Sequence, residues 1–410
     1  MKTPTHPKLG LSSASFRRLV GRYLKTPTLE FYATCAPGFE SVLATEIDRL
    51  PYVTNSSVQH GGATFFGSLE PMYHANLRLR TANLILLRLA RFLAQSHPML
   101  YDRAGKLPWE LHLANQPSFN IKVTTKASKL RYTKQIRKTL SAAIRRRLSR
   151  YGMDVKYDPR AKLTFNIRFF QARCTVSLNT SGDRLYLRGY RTGTGTAPIR
   201  ATTAAAVITQ AVKTSPDLIY DPFCGSGTLV FEAALAADKK PPGISRTFAF
   251  QDAPYYSKAT WDHICRLVNS EQRPDTVALF GSDINPEAVP DLTNTIDNLN
   301  LKNVPSFWCA DALNIDLRDL RRHAQTPLII TNLPYGTRFG PPSSAKRLVK
   351  KFCDHLMTFG AGWSYAIITK HPEVFQDKQV PVSGATRFSN GGITVSLLTG
   401  QILNDSGVPS

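Results

Sequence analysis

From residue 198 onward, short apolar runs alternate with stretches of helical periodicity, and this alternation restricts the fold more than any other feature of the chain. Residues 201–212 and 229–237 read as helices and 218–221 as a strand between them. A Pro-, Gly- and aromatic-rich stretch at 239–272 has little periodicity and is expected to be an insertion. Strands follow at 277–281, 306–309, 328–331 and 364–369, with helices at 287–299 and 345–359. Residues 380–388 and 392–399 close as a hairpin. Short strands that are apolar throughout are buried on both faces, as in a parallel sheet covered by helices on either side. The expected class is α/β, a doubly wound sheet ending in an antiparallel hairpin.

In such sheets ligands bind at the carboxyl ends of the strands, so the residues just beyond each strand carry the chemistry. The apolar run 327–331 is followed by Asn332, Leu333, Pro334 and Tyr335. An Asn side-chain oxygen and the next backbone carbonyl can both accept from one planar NH₂ group, and a Tyr ring offers a face to a flat base. The tetrad therefore suits the exocyclic amine of a nucleobase; a plain polar loop is the alternative reading of a motif this short. Between the first strand and its helix lie Asp221, Pro222, Phe223, Cys224, Gly225, Ser226, Gly227 and Thr228. Gly225 and Gly227 allow close approach of backbone to ligand. The third glycine of a dinucleotide fingerprint is replaced by Val230, and the Gly-Lys-Ser/Thr of a P-loop is absent. An acid at the strand end repels phosphate and suits a cation such as S-adenosylmethionine. Asp283, followed by Ile284, ends the second strand, where an acid can bind ribose hydroxyls. Asp311, followed by Ala312, lies past the third, placed to accept from an adenine amine. Each acid taken singly is equally a cap or turn residue.

Charge is divided unevenly. Residues 1–200 hold 33 Lys and Arg against 10 Asp and Glu, whereas 201–410 hold 19 against 19. A basic half beside a neutral one suggests a polyanion-binding region beside a catalytic one. The excess peaks on the helical pattern 132–151, where Ile136, Leu140, Ile144 and Leu148 form one stripe. Its other faces carry Lys134, Arg137, Lys138, Arg145, Arg146, Arg147 and Arg150 with no intervening acid. Like charges at i,i+4 repel, so phosphate neutralisation gives the arrangement a purpose. Further upstream, strands are expected at 29–35, 63–66, 119–124, 163–170 and 174–178, and helical periodicity runs over 72–93.

The six cysteines form no C-x-x-C pair and the histidines no ligand spacing, so neither metal nor a disulfide framework is expected. No apolar run is long enough to span a membrane. The first 29 residues hold six Lys and Arg and no acid but lack an apolar core for a secretory signal. They read as a flexible basic arm, with a transit peptide as the alternative, and the expected location is the cytoplasm.

The strings DPFCGSGT and NLPYG together resemble class I S-adenosylmethionine-dependent methyltransferases that modify exocyclic amines. With FYATCAPGFESVLATEI, GGATFFGSLEPMYHANLRLRTAN and DRLYLRGYR upstream, the chain is similar over nearly all of 29–400 to the THUMP-domain RNA methyltransferases. It most resembles the bacterial large-subunit (23S) ribosomal RNA guanine-N2 methyltransferase L family. The resemblance implies a flexible tail at 1–28, a ferredoxin-like α+β unit at 29–80, a THUMP RNA-binding domain at 81–182 and a Rossmann-like methyltransferase domain at 183–403. It implies S-adenosylmethionine held by Asp221–Thr228, Asp283, Ile284, Asp311 and Ala312, and a guanine amine held by Asn332–Tyr335. RNA is the expected partner, met by the basic helix and by Arg338; the oligomeric state is left open. Leu333 stands where the family often has Pro, which still supplies a carbonyl. Some members carry a second, fused methyltransferase domain for which these 410 residues have no room. Two other functions fit the same residues: a transfer-RNA guanine-N2 methyltransferase and a non-catalytic RNA-binding assembly factor.

Overall fold

The computed structural model describes residues 14–114, 116–190, 199–212, 215–272, 274–335 and 342–403. Packing divides them into two units that interleave along the chain. One comprises the described residues up to Thr34 with Ala44–Leu185 and Ser245–Arg266; the other comprises Cys35–Leu43, Tyr186–Ile244 and the chain from Leu267 onward.

The first unit is built on one mixed sheet. Its strands are β1 (Leu29–Thr34), β2 (Asn55–Gln59), β3 (Gly62–Gly67), β4 (Leu84–Leu93), β5 (Ser118–Lys126), β6 (Lys156–Tyr157), β7 (Thr164–Phe170) and β8 (Arg173–Asn179), in the order β2-β3-β1-β4-β8-β7-β5-β6. β5 runs parallel to β6 and β7, and the other pairs are antiparallel. The expected helix over 72–93 is only partly present: a helix spans Glu70–Arg78, residues 79–83 form a connection, and β4 takes Leu84–Leu93. β4 lies inside the sheet between β1 and β8, so non-local pairing overrides the local periodicity.

The expected flexible tail also needs correction, because Ala14–Leu24 is helical. Phe16 is buried, and Tyr23 sets its ring 5.9 Å from His112 and 5.1 Å from Tyr255. An amphipathic stripe with these partners buries enough surface to order the segment, which the run of cations conceals. The aperiodic stretch 239–272 contributes Ser245–Arg266 to this same unit, where Phe250 and Trp261 pack at 4.9 and 6.1 Å from Tyr73.

The second unit is the doubly wound domain. Its strands are β9 (Leu218–Asp221), β10 (Ala278–Asp283), β11 (Ser306–Cys309), β12 (Pro327–Asn332), β13 (Ser364–Thr369), β14 (Gly384–Asn390) and β15 (Ile393–Gln401). They run in the order β11-β10-β9-β12-β13-β15-β14, with the first five parallel and β15 antiparallel to both neighbours. The period-two rule sorts the side chains between two cores. Ile219, Leu328, Ile330, Ala366 and Ile368 enter the core shared with helices Ala201–Ala211, Thr228–Ala237 and Ala288–Leu299. Leu218, Tyr220, Ile329, Tyr365 and Ile367 enter the core shared with helix Pro342–Phe359. This is a Rossmann-like fold. Strand order reverses between β9 and β12, so the switch point, where such sheets bind ligands, lies between Asp221 and Asn332.

Candidate active site

The ends of β9, β10 and β12 meet through acids, a hydroxyl and backbone N–H groups. Asp221 is buried at the end of β9, and its Oδ1 accepts from Thr331 Oγ1 at 2.6 Å and from the Phe223 N–H at 3.1 Å. Burial pushes this carboxyl up to about 7 against those two hydrogen bonds, and the charge of Asp283 adds to the rise. Asp283 Oδ2 accepts from the Gly225 N–H at 2.8 Å and Oδ1 from the Asn285 N–H at 2.9 Å. The loop is also tied at Cys224, whose N–H donates to the Ser282 carbonyl at 2.9 Å.

Positive φ is what these glycines supply: +49° at Gly225 and +66° at Gly227. A Cβ at Gly227 would stand 2.6 Å from Leu292 and 2.8 Å from Phe231, so helix packing excludes any side chain there. A Cβ at Gly225 would meet nothing within 4 Å, so its backbone faces a space a ligand can enter. Pro222 is buried, Phe223 half-buried, and Ser226 exposed with its Oγ 3.2 Å from Thr228 Oγ1, at the start of the following helix. The Cys224 thiol is buried and pushed far up by burial, so it is no nucleophile. Ile284, directly after Asp283, is 69% exposed, an apolar surface beside an acid. Asp311 follows β11 and caps the short turn Ala312–Asn314 by accepting from the Leu313 N–H at 3.0 Å; Ala312 is buried.

The tetrad is anchored from three sides. Leu333 is buried, and its N–H donates to the Ile368 carbonyl at 3.0 Å, which fixes the peptide on either side. Pro334 is half-buried. Tyr335 packs its ring on the core, and its hydroxyl accepts from Asn390 Nδ2 at 2.5 Å. Asn332 Oδ1 is buried and has no hydrogen-bond partner among the described residues. A buried acceptor left unpaired costs about 1–3 kcal/mol, so an incoming N–H donor recovers that cost. Three contributors escaped the sequence reading. Thr331 was visible as the residue before the tetrad, whereas Ser282 and Asn390 gave no local signal.

The basic helix spans Thr133–Ser149 and buries Ile136, Leu140, Ile144 and Leu148 as expected. Lys134, Lys138, Arg145 and Arg146 are exposed and Arg137 is half-exposed. Arg147 does not belong with them. Its Nη2 and Nε donate to the fully buried Glu110 carboxylate at 2.6 and 3.1 Å, so an acid from another element neutralises it. Arg338 lies outside the described residues. No group of three or more metal-ligating side chains occurs among the described residues, and none of their helices is long and apolar enough to cross a membrane.

Residues 188–380 match the family model described as the RMKL-like methyltransferase domain, and residues 30–86 match the RlmL ferredoxin-like domain. The chain is 28% identical over 384 residues to a ribosomal RNA large subunit methyltransferase K/L from Syntrophotalea carbinolica, covering 90% of this chain and 53% of that protein. A relative of the same name from Shewanella baltica is 28% identical over 373 residues, covering 89% and 52%. The chain thus spans about half the length of these relatives. Among solved structures, SMU.472, a methyltransferase candidate crystallised with SAH, superposes with a TM-score of 0.81 at 24% identity, covering 93% of this chain and 99% of that one. That likeness is one of fold.

Proposed function

The chain carries an RMKL-like methyltransferase domain and an RlmL ferredoxin-like domain, and on that premise we propose that it methylates the exocyclic N2 amine of a guanine in large-subunit ribosomal RNA, using S-adenosylmethionine. The observation that carries the reading is Asn332 Oδ1 at the switch point, buried and unpartnered among the described residues, with the cradle of Asp221, Gly225 and Asp283 at the neighbouring strand ends.

The residues fit the cofactor. Both hydrogen bonds to Asp221 fall on Oδ1, which leaves Oδ2 for the ammonium of the methionine portion. In this reading Asp283 would accept from the ribose hydroxyls, Ile284 would cover the face of the adenine, and Asp311 with Ala312 would meet its edge. S-adenosylmethionine supplies a methyl group on sulfonium, open to in-line displacement. The protein contributes alignment. Asn332 Oδ1 and the Leu333 carbonyl accept the two amine hydrogens, which turns the nitrogen lone pair toward the methyl group. Tyr335 stacks on the base, held by Asn390. Transfer without a strong base leaves orientation and electrostatic compensation as the main contributions. The methylated nitrogen then loses its proton to water or to Asn332.

A guanine inside a duplex cannot reach this site, so it enters unstacked. We assign residues 81–182 to a THUMP domain that docks RNA on Lys134, Arg137, Lys138, Arg145 and Arg146. The activity belongs in the cytoplasm, with the RNA. The test is methyl transfer from labelled cofactor to unmodified large-subunit RNA and to transfer RNA, read by nucleoside mass spectrometry. N2-methylguanosine in the ribosomal RNA, lost in Asn332→Ala and Tyr335→Ala, is expected. Transfer that survives both changes near the unaltered rate overturns the amine-holding role, and product only in transfer RNA overturns the substrate.

A further inference from the structure

In the first unit one face of the sheet is sealed, and the other is open toward one end of four strands. Lys122, Thr124, Lys126, Arg168, Phe170, Arg173, Arg91 and Leu93 are exposed there, while at the other end Ser177 is buried and the Arg88 side chain is 9% exposed. Ile121, Phe165, Ile167, Phe169 and Val176 point to the sealed side and are at most 1% exposed. On the open side the register lines up three rows across β5, β7, β8 and β4. The first is Lys122, Asn166, Ser177 and Arg88; the second Thr124, Arg168, Thr175 and Arg91; the third Lys126, Phe170, Arg173 and Leu93. A bulge between Arg88 and Ala90 keeps Arg88 and Arg91 on this same side.

The face carries six cations. Glu30 answers two of them: it pairs with Arg91 and lies 3.9 Å from Arg88, whose guanidinium also covers the Tyr32 ring at 4.4 Å. Lys122, Lys126, Arg168 and Arg173 are exposed and have no ion pair among the described residues. Phe170 is 46% exposed and Leu93 52%, flanking Arg173 in adjacent cross-strand positions. An exposed aromatic ring in a field of unanswered cations serves a polyanion that also presents flat apolar faces. A nucleic acid with unstacked bases has that chemistry. Duplex RNA, recognised mainly by its backbone and shape, makes no use of the ring.

We propose that the open face of β5-β7-β8-β4 docks a single-stranded stretch of RNA, with Phe170 as the stacking platform and Lys122, Lys126, Arg168 and Arg173 on the phosphates. The proposal rests on the RNA substrate argued above and adds a surface that is separate from the helix Thr133–Ser149. Same-face residues along a strand lie about 6.6 Å apart, so the rows give an extended chain repeated points of attachment. The sequence hides this face because its cations are scattered over four strands between residues 88 and 173.

The test uses the full chain, fluorescence anisotropy and a labelled oligoadenylate of about twelve nucleotides, within the range such sites cover. Lys122→Gln, Lys126→Gln, Arg168→Gln and Arg173→Gln combined should weaken binding and flatten its log–log salt slope by roughly 0.7 for each phosphate no longer neutralised. Phe170→Ala should weaken it about tenfold with the slope unchanged. Phe170→Leu, which keeps the apolar bulk, should weaken binding equally, and Phe170→Tyr should restore it. Oligoadenylate binding within twofold of the unaltered protein in both the quadruple and the Phe170 variants overturns the proposal. So does a duplex of equal length that binds as tightly as the single strand, or weakening confined to the cation variant. Calorimetry with S-adenosylhomocysteine on the same proteins separates the two readings. Docking that depends on Phe170 in a protein that transfers no methyl group leaves the surface standing and removes the enzyme.

Discussion

Thr331 Oγ1 donates to Asp221 Oδ1 at 2.6 Å, joining β12 to β9 at the point where strand order reverses. Both residues are buried, so the bond is neither screened nor exchanged with water. It orients the carboxylate proposed to hold the cofactor's ammonium and ties it to the strand that carries Asn332–Tyr335.

Replacing Thr331 by Val keeps the shape and removes the donor. A hydrogen bond to a charged group contributes about 1.5–3 kcal/mol, so the cofactor should bind roughly 10- to 100-fold more weakly. Calorimetry with S-adenosylhomocysteine measures this directly. Affinity within twofold of the unaltered protein would show that Asp221 is oriented without Thr331.

The pH dependence follows from Asp221. Its carboxyl titrates at about 7 in the folded protein, and in the unfolded chain near its ordinary value of about 3.9. Between these values the folded state holds the extra proton, so this group's contribution to stability is present at low pH and is lost as pH rises through 7. The ligand-free melting temperature should therefore fall between about pH 4 and pH 7. An ammonium ligand favours the ionised form, so cofactor affinity should rise over the same range and level off above it. Asp221→Asn should remove both trends in a thermal-shift series with and without S-adenosylhomocysteine.

Among the described residues, Asn390 meets the site through the Tyr335 hydroxyl. Asn390→Ala should raise KM for RNA by about tenfold, the size of a single hydrogen bond, with cofactor affinity unchanged. Tyr335→Phe should do the same. The double variant should be no worse than Tyr335→Phe alone, which already removes the bond that Asn390 makes. Additive effects would show that the two residues act separately.

Arg147 is a structural cation. Arg147→Gln leaves the buried Glu110 carboxylate unpaired and should cost about 3 kcal/mol in denaturant unfolding. At a temperature where the variant is folded, RNA affinity should stay within twofold. Arg145→Gln and Arg146→Gln should behave in the opposite way, with stability kept and RNA binding weakened.

The second unit was largely legible in the sequence, and the loop after β9 almost entirely so. Its strands are short, apolar and punctuated, and the αL positions at Gly225 and Gly227 are written as glycines. The first unit was less legible. The run around Leu84–Leu93 fits a helix or a strand equally well, and Asn55–Gln59 is a polar edge strand with no apolar signal. In both, pairing with another strand decides, and for Leu84–Leu93 the partners are far away in sequence.

The sequence by itself determined the doubly wound architecture, the glycine-shaped loop after β9 and the residue types at the strand ends, because each depends on local periodicity or backbone sterics. Only the tertiary structure decided which charges and polar atoms are already satisfied. It paired Arg147 with Glu110, joined Thr331 to Asp221 and Asn390 to Tyr335, left Asn332 Oδ1 without a partner among the described residues and gathered scattered cations on one sheet face. Hydrogen bonds and ion pairs act over a few ångströms of space, and the residues that make them here are often far apart along the chain.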